Sequence, residues 1–185
     1  MTSPTRRRLF TAVAGGAALA TGALAPGLLP LAALADGGQW PQFHGDERHA
    51  GAAAAAGPRL LALAWYAPVA GDVDGSPVIA ADGSVYVASV DGSIYGLAPD
   101  GGQRWSISAG ASVLGSVALG PTGRLYVGDA RGRLREIVPA DGTIAWTTSG
   151  FSAIRGTPAI APDGAIYFGT DTGELVSLDS TGKER

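Results

Sequence analysis

His44 and His49 are the chain's only histidines, and Asp46 and Glu47 lie between them. The stretch Phe43-His44-Gly45-Asp46-Glu47-Arg48-His49 therefore holds imidazole and carboxylate donors of the kind a divalent metal uses. The same residues also suit an exposed polar lead-in to a first strand, which is the reading adopted. Asp72-Val73-Asp74-Gly75 has the opening of a calcium loop. Pro77, however, occupies the position that needs a sharply turning Gly, and no Glu closes the loop, so the segment reads as a connection between structural units. Acyl transfer has no foothold: Gly-x-Ser-x-Gly is absent, and neither histidine has a nucleophile beside it in sequence. Arg131, Arg133 and Arg135 alternate with the period that puts side chains on one face of a strand; they read as a solvated edge that an acidic partner could meet.

The elements that must position these residues recur at a fixed spacing. Trp65, Trp105 and Trp146 are separated by 40 and 41 residues, as are Tyr86, Tyr126 and Tyr167, then Gly92, Gly132 and Gly173, then Gly83, Gly123 and Gly164. A period of that size, filled with short β-branched runs, predicts an all-β fold: a β-propeller of four-stranded antiparallel blades. In the first unit Ser76–Ala80, Ser84–Ala88, Ser93–Leu97 and Trp105–Ile107 are the strands. Asp82-Gly83 and Asp91-Gly92 are the hairpin turns, because Gly, and tolerably Asp, accept positive φ.

The units run over about 75–114, 115–155 and 156–185, with an earlier outer strand expected at 61–68 after a lead-in at 36–60. The chain stops inside a repeat, one residue short of a fourth Trp, and is read as a truncated propeller or as a short form that assembles with other copies. Positions that differ between units are free to serve a site. The loop entering each first strand carries Asp74, Leu114 and Arg155 in turn, and such loops gather at one mouth of a propeller. Asp72, Asp74 and Arg155 are thus the candidate ligand or partner face.

At the N-terminus Thr5-Arg6-Arg7-Arg8-Leu9-Phe10 is a twin-arginine pattern. An apolar Ala, Gly and Leu stretch follows, ending in Ala33-Leu34-Ala35, with small residues at minus three and minus one. Residues 1–35 are read as a cleavable export signal, which predicts an extracytoplasmic protein with no membrane span after cleavage. Removing Arg6, Arg7 and Arg8 leaves ten basic against sixteen acidic residues, a formal charge of −6, which disfavours nucleic acid. The absence of cysteine leaves stability to sheet packing alone.

Gly75-Ser76-Pro77-Val78, Asp82-Gly83-Ser84-Val85-Tyr86-Val87, Asp91-Gly92-Ser93-Ile94-Tyr95-Gly96-Leu97 and Asp100-Gly101-Gly102-Gln103-Arg104-Trp105 resemble the pyrroloquinoline-quinone repeat. This is the blade of quinoprotein dehydrogenases and of many exported binding proteins. Trp40-Pro41-Gln42-Phe43-His44-Gly45-Asp46 resembles the segment before the first blade in exported members. The resemblance implies that Trp65, Trp105 and Trp146 pack between neighbouring blades as equivalent structural residues. For the dehydrogenases it implies adjacent cysteines, a calcium held by acidic and amide side chains, and a catalytic Asp. This chain contains neither cysteine nor asparagine. The expectation is a non-catalytic binding or scaffolding module with no cofactor and with a protein or cell-envelope partner, self-associating if truncated. The alternative is a fragment of a quinone-dependent dehydrogenase.

Overall fold

The computed structural model describes residues 63–185. The expected signal with Arg6, Arg7, Arg8, Ala33 and Ala35, the expected lead-in at 36–60 with His44 and His49, and residues 61 and 62 of the expected first strand lie outside the described residues. Strands form where β-branched and aromatic residues alternate between Asp-Gly turns. β1 (Val78–Ile79), β2 (Val85–Ala88), β3 (Ser93–Leu97) and β4 (Gln103–Ser108) make one four-stranded antiparallel sheet in chain order. β5 (Ala118–Leu119), β6 (Leu125–Gly128), β7 (Leu134–Ile137) and β8 (Ile144–Thr148) make a second of the same topology. β9 (Ala159–Ile160), β10 (Ile166–Gly169) and β11 (Leu175–Leu178) make a three-stranded third. A bridge from Leu178 to Glu184 extends the third sheet at the place where the fourth strand pairs in the others.

Two expectations are corrected. Residues 63–68 carry no strand, since no described strand lies beside them to complete a ladder. The first strand of each unit is also shorter than its apolar run. Pro77 has no N–H to give, and the Ser76 N–H is spent on the Ser116 hydroxyl of the next unit, so pairing begins only at Val78.

All three turns of each unit place a glycine at positive φ. Gly92, Gly132 and Gly173 lie at 90°, 70° and 84°. The Asp ahead of many of these glycines accepts the backbone N–H two residues on, as Asp82 does from Ser84 and Asp91 from Ser93, and this fixes hairpin length and register.

The core lies between sheets. Val78, Tyr86, Ile94 and Trp105 of the first unit pack on Leu125, Val127 and Ile137 of the second. Ala118, Tyr126 and Leu134 pack on Ile166, Phe168 and Leu178 of the third. Trp65, Ala67 and Val69 cover Val87, Tyr95 and Leu97 in the same way. β6 and β7, with a neighbour on both faces, are buried throughout. β10 alternates buried and exposed, and Tyr167 is left 38 % exposed.

Candidate functional site

The loops that enter the first strands lie over the turns joining second and third strands, so both share one end of the sheets. Val90, Ala130 and Asp171 donate their backbone N–H groups to Asp72, Ser112 and Ala153. At this mouth adjacent units touch backbone to backbone: a Cβ on Gly115 would stand 2.6 Å from the Gly156 carbonyl oxygen. Beside these glycines runs a relay, in which the Ser76 N–H donates to Ser116 Oγ at 2.8 Å and the Ser116 N–H to Thr157 Oγ1 at 3.0 Å. Asp74, Leu114 and Arg155 each precede one of the three contact glycines, Gly75, Gly115 and Gly156, and so occupy matching places on one rim.

The expected charges divide there. Asp72 and Asp74 are exposed and form no ion pair among the described residues, whereas Arg155 Nε is 2.6 Å from Asp171 Oδ2 in its own unit. Arg155 therefore meets neither Asp72 nor Asp74.

The arginines of the second unit are not a solvated edge. Asp129, fully buried, accepts from Arg133 Nε and Arg135 Nη1 at 2.8 Å each, and from the backbone N–H groups of Arg131 and Arg133. Both guanidinium groups also reach the Ala109 carbonyl at 2.7 Å. Burial alone would raise the Asp129 carboxyl. The Arg135 hydrogen bond, the two backbone N–H groups and the Arg135 charge outweigh burial and hold it below the usual carboxylate range. Only Arg131 of the three is exposed. Unit one ties its loop with neutral groups at these places: Ser89 donates to the Ala70 and Asp72 carbonyls, and the Tyr95 hydroxyl accepts from the Ala70 N–H.

The repeated tryptophans fall into two arrangements. Trp65 and Trp105 lie over Gly101 and Gly142, turn glycines of the following unit, and donate to the Pro99 and Pro139 carbonyls at 2.9 and 2.8 Å. Trp146 approaches Gly182 but donates to Glu136 Oε2 at 3.0 Å, an oxygen that also accepts from the Tyr126 hydroxyl at 3.2 Å. The equivalence expected of the three is thus only partial. Gly96 sits beneath the Trp105 indole where a Cβ could not fit, and the ring stacks on Tyr86 at 26°. Glu136 is the matching residue in unit two; its side chain lifts Trp146, which tilts to 47° against Tyr126 and is only half-buried. Burial, the Glu136 charge and the bond to Glu136 push Tyr126 up to about 12.

Asp129 and Glu136 were not singled out from the sequence, although a signal for them was present. At their places unit one has Ser89 and Gly96 and unit three has Thr170 and Ser177, so two acids enter only the second unit.

Four-stranded antiparallel units repeated about a shared rim define a β-propeller. The chain belongs to the family of pyrroloquinoline-quinone-like repeats, whose model, described as outer membrane protein assembly factor BamB, matches residues 49–185. Among solved structures it is similar to quinohemoprotein alcohol dehydrogenase from Comamonas testosteroni, with TM-score 0.68, 21 % identity, and 80 % of this chain and 27 % of that one covered. It is also similar to BamB from Moraxella catarrhalis, with TM-score 0.53, 17 % identity, and 62 % and 37 % covered. Quinohemoprotein alcohol dehydrogenase ADHIIG from Pseudomonas putida HK5 gives TM-score 0.55, 25 % identity, and 61 % and 20 % covered. The chain thus spans well under half the length of each. No curated protein sequence matches it.

Proposed function

We propose that this is an exported, non-catalytic binding or scaffolding module that meets a protein or cell-envelope partner through the mouth bearing Asp72, Asp74 and Arg155. The observation that carries the reading is the rim itself. A backbone row, held by glycine contacts and the Ser76–Ser116–Thr157 relay across three units, displays an acid, an apolar residue and a base in matching places. Such a row suits an extended partner surface better than an enclosed small molecule. The family description, an assembly factor, agrees with a protein that acts by holding others. Arg6, Arg7, Arg8 and the Ala33-Leu34-Ala35 end of the apolar stretch support export.

A photo-crosslinking residue placed at Asp74 or Leu114 in the producing cells is expected to trap a discrete partner. Asp74→Lys combined with Arg155→Glu should abolish the adduct formed from Leu114. Equal trapping from exposed Asp100, in a turn at the other end of the sheets, would remove the mouth from consideration.

The likeness to two quinohemoprotein alcohol dehydrogenases favours a second reading, a piece of a quinone-dependent enzyme. The donor chemistry here does not fit that cofactor. The chain has neither cysteine nor asparagine, and no three metal-ligating side chains converge among the described residues. No quinone chemistry is assigned to these residues. Dye-linked alcohol oxidation after reconstitution with the quinone and calcium would reinstate the enzyme.

A further inference from the structure

Turns joining first to second and third to fourth strands lie at the end of the sheets opposite the mouth. There units one and two leave a groove of ≈ 500 Å3, lined by Asp82, Tyr86 and Arg104 on one side and by Thr122, Arg124 and Pro139 on the other. Its volume falls within the range of ligand sites.

Units one and three share one charge arrangement at this end. Asp82 faces Arg104 at 3.6 Å, and Asp163 faces Arg185 at 3.3 Å in the matching places. Unit two has Thr122 and Ala145 there, and carries its charges instead at Arg124 and Glu136, where unit one has Ser84 and Gly96. This exchange leaves Arg124 incompletely satisfied. Glu136 Oε2 is taken by Tyr126 and Trp146, and Oε1 stands 3.6 Å from Arg124 Nε, too far for a hydrogen bond. Arg124 Nη1 is buried with no acceptor, while the side chain as a whole is 40 % exposed. A guanidinium N–H removed from water without an acceptor is costly, and a ligand that supplies one recovers that cost.

We propose that this groove is a carboxylate-binding site, with Arg124 as its anchor and Arg104 as a second cation. The planar guanidinium fork matches the two oxygens of a carboxylate. Asp82, which lines the groove, opposes a doubly charged phosphate more than a singly charged carboxylate. The ligand enters between the turns, and the Arg124 fork swings toward it, trading the long Glu136 contact for a bidentate bond. The carboxylate belongs either to a free organic acid or to an acidic peptide segment.

The test follows backbone amide shifts of the full chain titrated with acetate, with a short glutamate-rich peptide and with inorganic phosphate, at constant ionic strength. Acetate or the peptide is expected to shift residues of the 82–86, 122–124 and 138–140 turns in a saturable manner, and the tighter of the two identifies the source. Arg124→Gln should weaken binding about tenfold or more, and Arg104→Gln less. Thr122→Asp provides a variant that keeps the fold, since units one and three carry Asp at that exposed turn position. It should weaken binding by placing a competing carboxylate beside Arg124. The proposal is overturned if neither carboxylate probe shifts these turns, if phosphate binds at least as tightly, or if Arg124→Gln and Thr122→Asp bind like the parent.

Discussion

Trp105 and Trp146 occupy the same place in the repeat yet carry different loads. Trp105 is 8 % exposed, flat on Tyr86, and bonded to the turn of the next unit; Trp146 is half-buried and tethered to Glu136 in its own unit. Trp105→Ala is expected to cost about 3–5 kcal/mol, and Trp146→Ala distinctly less, in urea denaturation of the two variants. Equal losses would mean that Glu136 does not alter the inter-blade role of the indole. Tyr126 gives a second readout of the same cluster. Its folded pKa of about 12 lies above its unfolded value of about 10, so the stability it contributes is complete below pH 10 and is lost as pH rises through about 12. Ultraviolet titration should find Tyr126 ionising late among the tyrosines, and Tyr126→Phe should remove that transition together with the matching alkaline fall in stability. An unchanged titration curve in the Phe variant would sink the assignment.

Within the elements, the Asp129 clamp joins the turn after β6 and strand β7 to the loop leaving β4, and so holds one blade to the next through charge. Asp129→Ala leaves two guanidinium groups uncompensated beside a buried carbonyl, and should cost about 3–5 kcal/mol, read as a lower urea midpoint. A loss below about 1 kcal/mol would fall within the range of ordinary surface changes. This clamp also marks how far the sequence could be read. The strands of the three units and their turn positions were legible because β-branched runs and Asp-Gly pairs act locally, and Gly92, Gly132 and Gly173 adopt the positive φ their spacing implies, whereas the expected strand at 61–68 was not found at 63–68. The mouth was legible as a place, since Asp74, Leu114 and Arg155 do share a rim. Charge partners were not, because pairing depends on which side chains the fold brings together. Of Arg131, Arg133 and Arg135 only Arg135 lies in strand β7, and nothing local tells that a buried Asp129 gathers the Arg133 and Arg135 side chains. Trp146 packs against unit three as expected of a repeat tryptophan, but its hydrogen-bond partner was not legible for the same reason: it is set by a residue ten positions away on the neighbouring strand.

At the scale of the whole molecule the third unit turns an incompletely covered face outward, with Tyr167 38 % and Leu175 79 % exposed. Apolar sheet surface of this kind drives association. Residues 36–185 produced alone are expected to self-associate, as measured by size-exclusion chromatography with light scattering; a cooperative monomer at micromolar concentration would contradict this. For the full chain, changing Arg6, Arg7 and Arg8 together to Lys should hold the protein in the cytoplasm, because the twin-arginine receptor reads the arginine pair rather than bulk hydrophobicity. Unimpaired export of the triple variant would exclude that route. The relay at the mouth gives the array one further property. Each amide is given forward and each hydroxyl receives from behind, from Ser76 to Ser116 to Thr157, and Trp65 and Trp105 lean in the same sense onto the unit ahead. The stack is therefore polar in the way a polymer is polar, with a head that differs from its tail. A unit copied onto either end finds matching chemistry only when it runs in the same direction, so growth by duplication is open to this fold and mirror-image joining of two arrays is not.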